Sequence, residues 1–150
     1  MTLYIDTSCV LKLLFPEPER VRVMAVISSE AHVIVSKLAR LEAIVQLHAR
    51  RVSGLLSAGD ARTLIRRLDG LLVSSPFELV QVPSEVIDFA ERTVRALPKA
   101  GYCATLDRLH LEIMSALRVG RLLTNDDTQA SAARALGFEV TAAFATNYVV

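Results

Sequence analysis

The sequence predicts a three-layer α/β/α sandwich around a mainly parallel central sheet. Short β-branched stretches alternate with longer amphipathic ones along the whole chain, the pattern of strand–helix–strand units. The chain has 150 residues, 52% of them hydrophobic, which suits one domain over 1–150 with a sizeable core and argues against disorder. No internal repeat, low-complexity tract or second-domain linker interrupts it.

Residues 2–5, TLYI, read as a short buried strand. Thr7 and Ser8 offer caps for a helix through CVLKLLF, which Pro16 breaks. PEPERVRVMAVISSE, with prolines and acids at its start, reads as a second helix. AHVIVS is the second strand. Ser36 caps a helix over 37–52 that ends before Gly54, with Leu38, Leu41, Val45 and Leu47 or His48 as its apolar side. A helix near 57–73 and a third strand, ELVQVP (78–83), follow. Ser84 starts the helix SEVIDFAERTVRAL, where Val86, Phe89, Ala90, Val94 and Leu97 fall at helical spacing. Pro98 and Gly101 mark a loop. TLDRLHLEIMSALRVG is a helix stopped by Gly120, RLLT a fourth strand, DTQASAARALG a helix ended by Gly137, and FEVTA a fifth strand. The closing FATNYVV is assigned no element.

Several function classes drop out. No apolar run reaches the ~18–20 residues that span a bilayer, so no membrane partner is expected. The first residues show neither a basic region nor a small-residue cleavage site, which predicts no secretory leader. Cys9 and Cys103 have no CxxC spacing and read as small core residues in a reduced, cytoplasmic setting. Net charge is only +1, but residues 37–67 carry seven basic residues against two acids, leaving the remainder at −4. That asymmetry marks either a phosphate-facing surface, with Arg40, Arg50 and Arg51 as candidate contacts, or a solvated helix face.

Four carboxylates stand in apolar surroundings. Asp6 ends the first strand, Glu42 sits in KLARLEAIVQL, Asp107 in TLDRLHLEIM, and Asp126, beside Asp127, follows RLLTN. Ligands of open parallel sheets bind beyond the carboxyl ends of the strands, where Asp6 and Asp126 fall. Two unit charges 4 Å apart repel by ~4 kcal/mol at an effective dielectric near 20. Converging acids therefore stay partly protonated or take up a cation. Oxygen ligands without His or Cys favour Mg²⁺ or Mn²⁺, and such an ion activates water against a phosphodiester. Ser8, Thr124 and Asn125 are placed to support a ligand carboxylate or metal-bound water. Each acid also has a plainer reading. Asp6 caps the following helix, Glu42 lies on the surface or pairs with Arg40 or Lys37, Asp107 caps or pairs with an arginine such as Arg108 or Arg118, and Asp126 and Asp127 occupy an ordinary first helical turn.

YIDTSCVLKLL, SKLARLEA, TLDRLHL and LLTNDDTQASAARALGFEV resemble, in order and spacing, the four acidic motifs of PIN-domain proteins, above all the VapC-type toxins of bacterial toxin–antitoxin pairs. The resemblance spans nearly the whole chain. It implies a PIN-like α/β/α sandwich and an Mg²⁺- or Mn²⁺-dependent endoribonuclease. Asp6, Asp107 and Asp126 would be its metal ligands, Glu42 its second-motif acid, and Ser8 and Thr124 supporting residues. Asp127 competes with Asp126 for the fourth position, and Thr124-x-Asp126 matches the pattern better. Arg108 and Glu112 stand where small or apolar residues are usual and would alter the cleft wall. The resemblance further implies a homodimer held inactive by a cognate antitoxin. Leu13, Leu14 and Phe15 are candidates for those contacts or for core.

Other chemistries find less support. His32, His48 and His110 lack zinc-site spacing. His110, one helical turn from Asp107, either orients that acid, approaches substrate or packs locally. Nucleophile-elbow, P-loop and dinucleotide motifs are absent. Aromatic residues make up 5% with no Trp, too few for a base-stacking platform. The expected function is an RNA-cleaving toxin. The alternatives are a catalytically silent RNA- or protein-binding module, or a phosphatase or DNA nuclease built on the same acids.

Overall fold

The computed structural model describes residues 1–143; FATNYVV lies outside them. Five strands form one sheet in the order β3-β2-β1-β4-β5: β1 (Thr2–Ile5), β2 (His32–Ser36), β3 (Phe77–Val80), β4 (Arg121–Thr124) and β5 (Glu139–Ala142). All four pairings are parallel. The helices are α1 (Thr7–Leu14), α2 (Arg20–Ser28), α3 (Lys37–Val52), α4 (Ala58–Leu72), α5 (Val86–Thr93), α6 (Thr105–Leu117) and α7 (Asp127–Ala135). The chain runs from central β1 to β2 and β3 on one side, then crosses to β4 and β5 on the other. This reversal beside β1 opens a crevice at the carboxyl ends of β1 and β4.

Strand alternation divides the core in two. Leu3, Ile5, Val33, Val35 and Leu123 face one layer, packed by α1 to α4. Tyr4, Ile34 and Leu122 face the other, packed by α5 to α7. The expected three-layer sandwich therefore forms, with every strand parallel. Leu13 and Leu14 are buried in the first layer, so they belong to the core and not to a contact surface.

Three local expectations shift. The buried stripe of α3 is Ala39, Ala43 and Leu47, whereas Leu41 and Val45 are 58% and 54% exposed. Small residues four apart let α3 lie close to its neighbours, and the larger apolar side chains turn outward. β3 stops at Val80 and α5 starts at Val86; Pro83 has no N–H with which to extend a ladder. α6 ends at Leu117, before Gly120, because Arg118 adopts a left-handed conformation at φ 57°. Its turn closes with Val119 N donating to Met114 O at 2.9 Å, a capping bond that any residue able to enter that region supports.

Candidate active site

Asp6 leaves β1 at the reversal point, with only 4% of its surface exposed. It, and neither Thr7 nor Ser8, is the N-cap of α1: Cys9 N donates to Oδ1 at 3.2 Å. Ser8 Oγ reaches Oδ1 at 2.7 Å and Oδ2 at 2.9 Å. Thr124 Oγ1, at the end of β4, donates to Oδ2 at 2.9 Å. Ser8 Oγ in turn accepts from Asn125 N at 2.8 Å, and Thr124 Oγ1 accepts from Asp126 N at 3.0 Å. The β1–α1 and β4–α7 junctions are thus tied together around one carboxylate. Burial raises the Asp6 pKa above its ordinary value, against the lowering effect of Ser8, the His110 charge, Thr124 and the Cys9 amide.

Glu42 approaches from the first half of α3. Its Oε1 accepts from Thr7 Oγ1 at 2.9 Å and lies 2.6 Å from His110 Nε2. His110 Nδ1 lies 2.7 Å from the Tyr4 hydroxyl, which donates to Ser36 Oγ at 2.8 Å. Ser36 also caps α3 by accepting from Ala39 N. Partial burial pushes the Glu42 pKa up, but the bonds from His110 and Thr7 outweigh it and bring the carboxyl below its ordinary value. Arg40, one expected partner of Glu42, instead forks onto Asp69 at 2.8 and 3.2 Å.

Asp107 occupies the first turn of α6. Its pKa is raised, first by partial burial, then by the charge of Asp126, and further by Asp6 and Glu42; His110 opposes them. No hydrogen bond from the described residues reaches its carboxylate. Asp126 caps α7, accepting from Gln129 N at 2.8 Å, while Asp127 is exposed on the first turn. Among the described residues, no three Asp, Glu, His or Cys side chains form a set that could hold one ion. The four acids lie at one edge, where Asp126, Asp6 and Glu42 each act on Asp107 through their charge, without closing into a coordination shell. The donors are nonetheless mainly of one kind. Both His110 nitrogens are already engaged, and the free Cys103 thiol, within the field of Asp107 and Asp126, has its pKa raised by burial and by those charges, which leaves the carboxylate oxygens, a set suited to Mg²⁺ or Mn²⁺.

Arg108, an expected partner of Asp107, turns toward α5. It pairs with Glu112 and donates from Nη2 to Thr93 Oγ1 at 2.9 Å, while Thr93 donates to Glu112 Oε1 at 2.7 Å. This trio lines a cavity of about 260 Å³ in which none of the four acids takes part. Of the basic candidates, Arg50 stacks over Phe15 with its guanidinium carbon 4.2 Å from the ring centre. Arg51 lines a separate 240 Å³ cavity with His48 and Arg62.

Tyr4, Thr7 and Gln129 were not foreseen. Gln129 had a signal, because Asp126-x-x-Gln129 is a capping-box spacing. Tyr4 had a weaker one, a phenol in a buried strand that must find a partner.

An all-parallel α/β sheet with an acid-lined crevice at its switch point defines the class of protein. The sequence matches the PIN domain family over residues 3–135, and the chain belongs to that family. No curated protein matches it significantly. Among solved structures, it is similar to FitAcB from Neisseria gonorrhoeae, at 19% identity and a TM-score of 0.71, over 94% of this chain and 97% of that one. It also resembles VapBC2 from Rickettsia felis bound to a DNA fragment from its promoter, at 13% identity and a TM-score of 0.68, over 95% and 98%. A third similar structure is VapC20 from Mycobacterium tuberculosis, a sarcin–ricin-loop-cleaving toxin, at 14% identity and a TM-score of 0.66, over 91% and 95%. At these identities the likeness establishes the fold.

Proposed function

We propose that the chain is a metal-dependent endoribonuclease, the VapC-type toxin of a toxin–antitoxin pair. The observation that carries this reading is the placement of Asp6, Glu42, Asp107 and Asp126 around the crevice at the carboxyl ends of β1 and β4, where partial burial and then the charges of Asp126, Asp6 and Glu42 raise the Asp107 carboxyl. Acids at such an edge are relieved by a cation. Asp6, Asp107 and Asp126 would hold Mg²⁺ or Mn²⁺, and the bound ion would supply a water nucleophile and neutralise phosphate charge. Ser8 and Thr124 fix the Asp6 carboxylate, and the Asn125 amide holds Ser8. Glu42 is the remaining catalytic carboxylate. Arg50 and Arg51 steer the RNA backbone; Arg40, tied to Asp69, contributes less. Family membership and the toxin description of VapC20 support the RNA-cleaving activity. The exposed apolar row of Leu41, Val45 and Val52 on α3 supports a protein-contact face, in keeping with a cognate antitoxin and a homodimer. No helix of the described residues is long and apolar enough to cross a membrane, and we place the activity in the cytoplasm.

The test is cleavage of structured RNA, including a sarcin–ricin-type hairpin, and of DNA, in Mg²⁺, Mn²⁺ or EDTA, beside Asp6→Asn. The reading expects RNA cleavage that needs the metal and disappears in the variant. Equal cutting by both proteins would indicate a contaminating nuclease. RNA retention without turnover would mark a silent binding module, and cleavage of DNA alone a different nuclease.

A further inference from the structure

His110 is 1% exposed, yet both of its ring nitrogens are engaged by side chains from other elements. Nδ1 meets Tyr4 of β1, and Nε2 meets Glu42 of α3. Ring and phenol also pack edge to face, with centroids 5.8 Å apart. A buried imidazole serving only as filler needs one acceptor nearby; here it bridges the sheet and a helix and ends on an acid of the proposed site. A carboxylate only accepts, so the proton of the 2.6 Å contact belongs to Nε2. Glu42 is held entirely through Oε1, by His110 and by Thr7, the residue after Asp6. Its Oε2 receives no hydrogen bond from the described residues.

We propose that His110 is a positioning residue: through Nε2–H it fixes Oε1 of Glu42 and leaves Oε2 as the oxygen available for chemistry. The consequence for catalysis rests on the nuclease reading; the contact itself does not. The Tyr4 hydroxyl and Ser36 complete the device. Because Ser36 also caps α3, the helix that carries Glu42 and the ring that holds it are anchored at one point. The charged or titratable groups facing Glu42 are His110 and Asp107 of α6, with the Tyr4 phenol of β1. The negative ones among them oppose its ionisation, and His110 favours it.

The experiment compares His110→Leu, which fills the space without a donor, with His110→Gln, whose amide N–H can still reach Glu42. With RNA and Mg²⁺, His110→Leu is expected to lower kcat by ~10–100-fold, the usual effect of losing a partner that orients a metal-site group, while KM changes little. The acid limb of its pH profile moves to higher pH. His110→Gln recovers a substantial part of kcat. In metal-free protein without RNA, the carboxyl carbon of Glu42 followed by NMR should titrate at higher pH in His110→Leu than in wild type, with His110→Gln between them. Tyr4→Phe, which keeps the packing, should shift it less in the same direction, and it serves if His110→Leu does not fold. An unmoved Glu42 titration in a folded variant, or full kcat in His110→Leu, overturns the proposal. If the wild type cuts no RNA, the nuclease reading fails, while the carboxyl titration still decides the His110 contact.

Discussion

Asp6 and Asp107 lie at the same edge of one sheet, but the chain treats them differently. Asp6 ends a strand and receives hydrogen bonds from Ser8, Thr124 and the Cys9 amide. Asp107 rides on the first turn of α6, half-exposed and without such donors, facing the charges of Asp126, Asp6 and Glu42. Burial contributes to both raised pKa values, but only Asp6 is compensated by bonded hydroxyls. One side of the site is thus preformed by the protein, and under the proposed nuclease reading the other takes its counter-charge from the metal. Glu42 stands between these extremes, compensated by an imidazole and a hydroxyl.

The comparison breaks most visibly in activity. Replacing either Asp6 or Asp107 by Asn should reduce metal-dependent RNA cleavage by at least ~100-fold, the upper end for residues around a metal, as measured by single-turnover assays. Equal loss at both positions is expected, even though one is rigidly held and the other is not.

Stability should separate them. Thr124→Val removes the donor to Asp6 Oδ2 and the acceptor of the Asp126 amide. A buried polar group left unpaired costs about 1–3 kcal/mol, so urea denaturation should show a loss in that range. Asp107→Asn removes a repelled charge and breaks no hydrogen bond. In metal-free protein it should raise the melting temperature slightly at neutral pH, by less than Thr124→Val lowers it.

The pH dependence carries a definite sign. A carboxyl whose pKa is raised by folding keeps its proton in the folded chain after the unfolded chain has lost it. The stabilisation from Asp6 and Asp107 is therefore greatest in acid and disappears as pH rises through their folded values. Glu42, with a lowered pKa, does the reverse: its contribution is present above its ordinary range and is lost as pH falls through the folded value. A divalent ion binds the ionised carboxylates, so Mn²⁺ should raise the melting temperature more at about pH 8 than at about pH 5. At a hundred times its Kd the ion would add ~2.7 kcal/mol. The smallest effect belongs to the basic face: Arg50→Ala should weaken RNA binding evenly across sequences and reduce the salt slope by about one.

Much of this molecule is legible in the sequence, and the illegible parts have physical causes. The alternation of TLYI, HVIVS and RLLT with helical stretches specifies the parallel sheet, because strand and helix periods differ so sharply. Ser36, read as a cap, sets the start of α3 to the residue; the Ser57 cap of α4 goes unread, and that helix is placed only near 57–73. The buried face of α3 is not legible from apolarity, which favours Leu41 and Val45, because close packing favours Ala39 and Ala43. Four acids at motif spacing pointed to one edge, but spacing says nothing about what satisfies each carboxylate. The partners Tyr4 and His110 are 106 residues apart, and only folding brings them together. Asp6 also shows that the plain and functional readings of one residue are compatible: it caps α1 and lines the crevice at once.

The central claim is that this edge is built to receive a divalent cation among Asp6, Asp107 and Asp126. A crystal soaked in Mn²⁺ and measured at the manganese absorption edge tests it directly. The account predicts one or more anomalous peaks bonded to carboxylate oxygens of those three residues, with Asp107 drawn toward Asp6. No peak there at saturating Mn²⁺, with the acids standing apart as before, would contradict it.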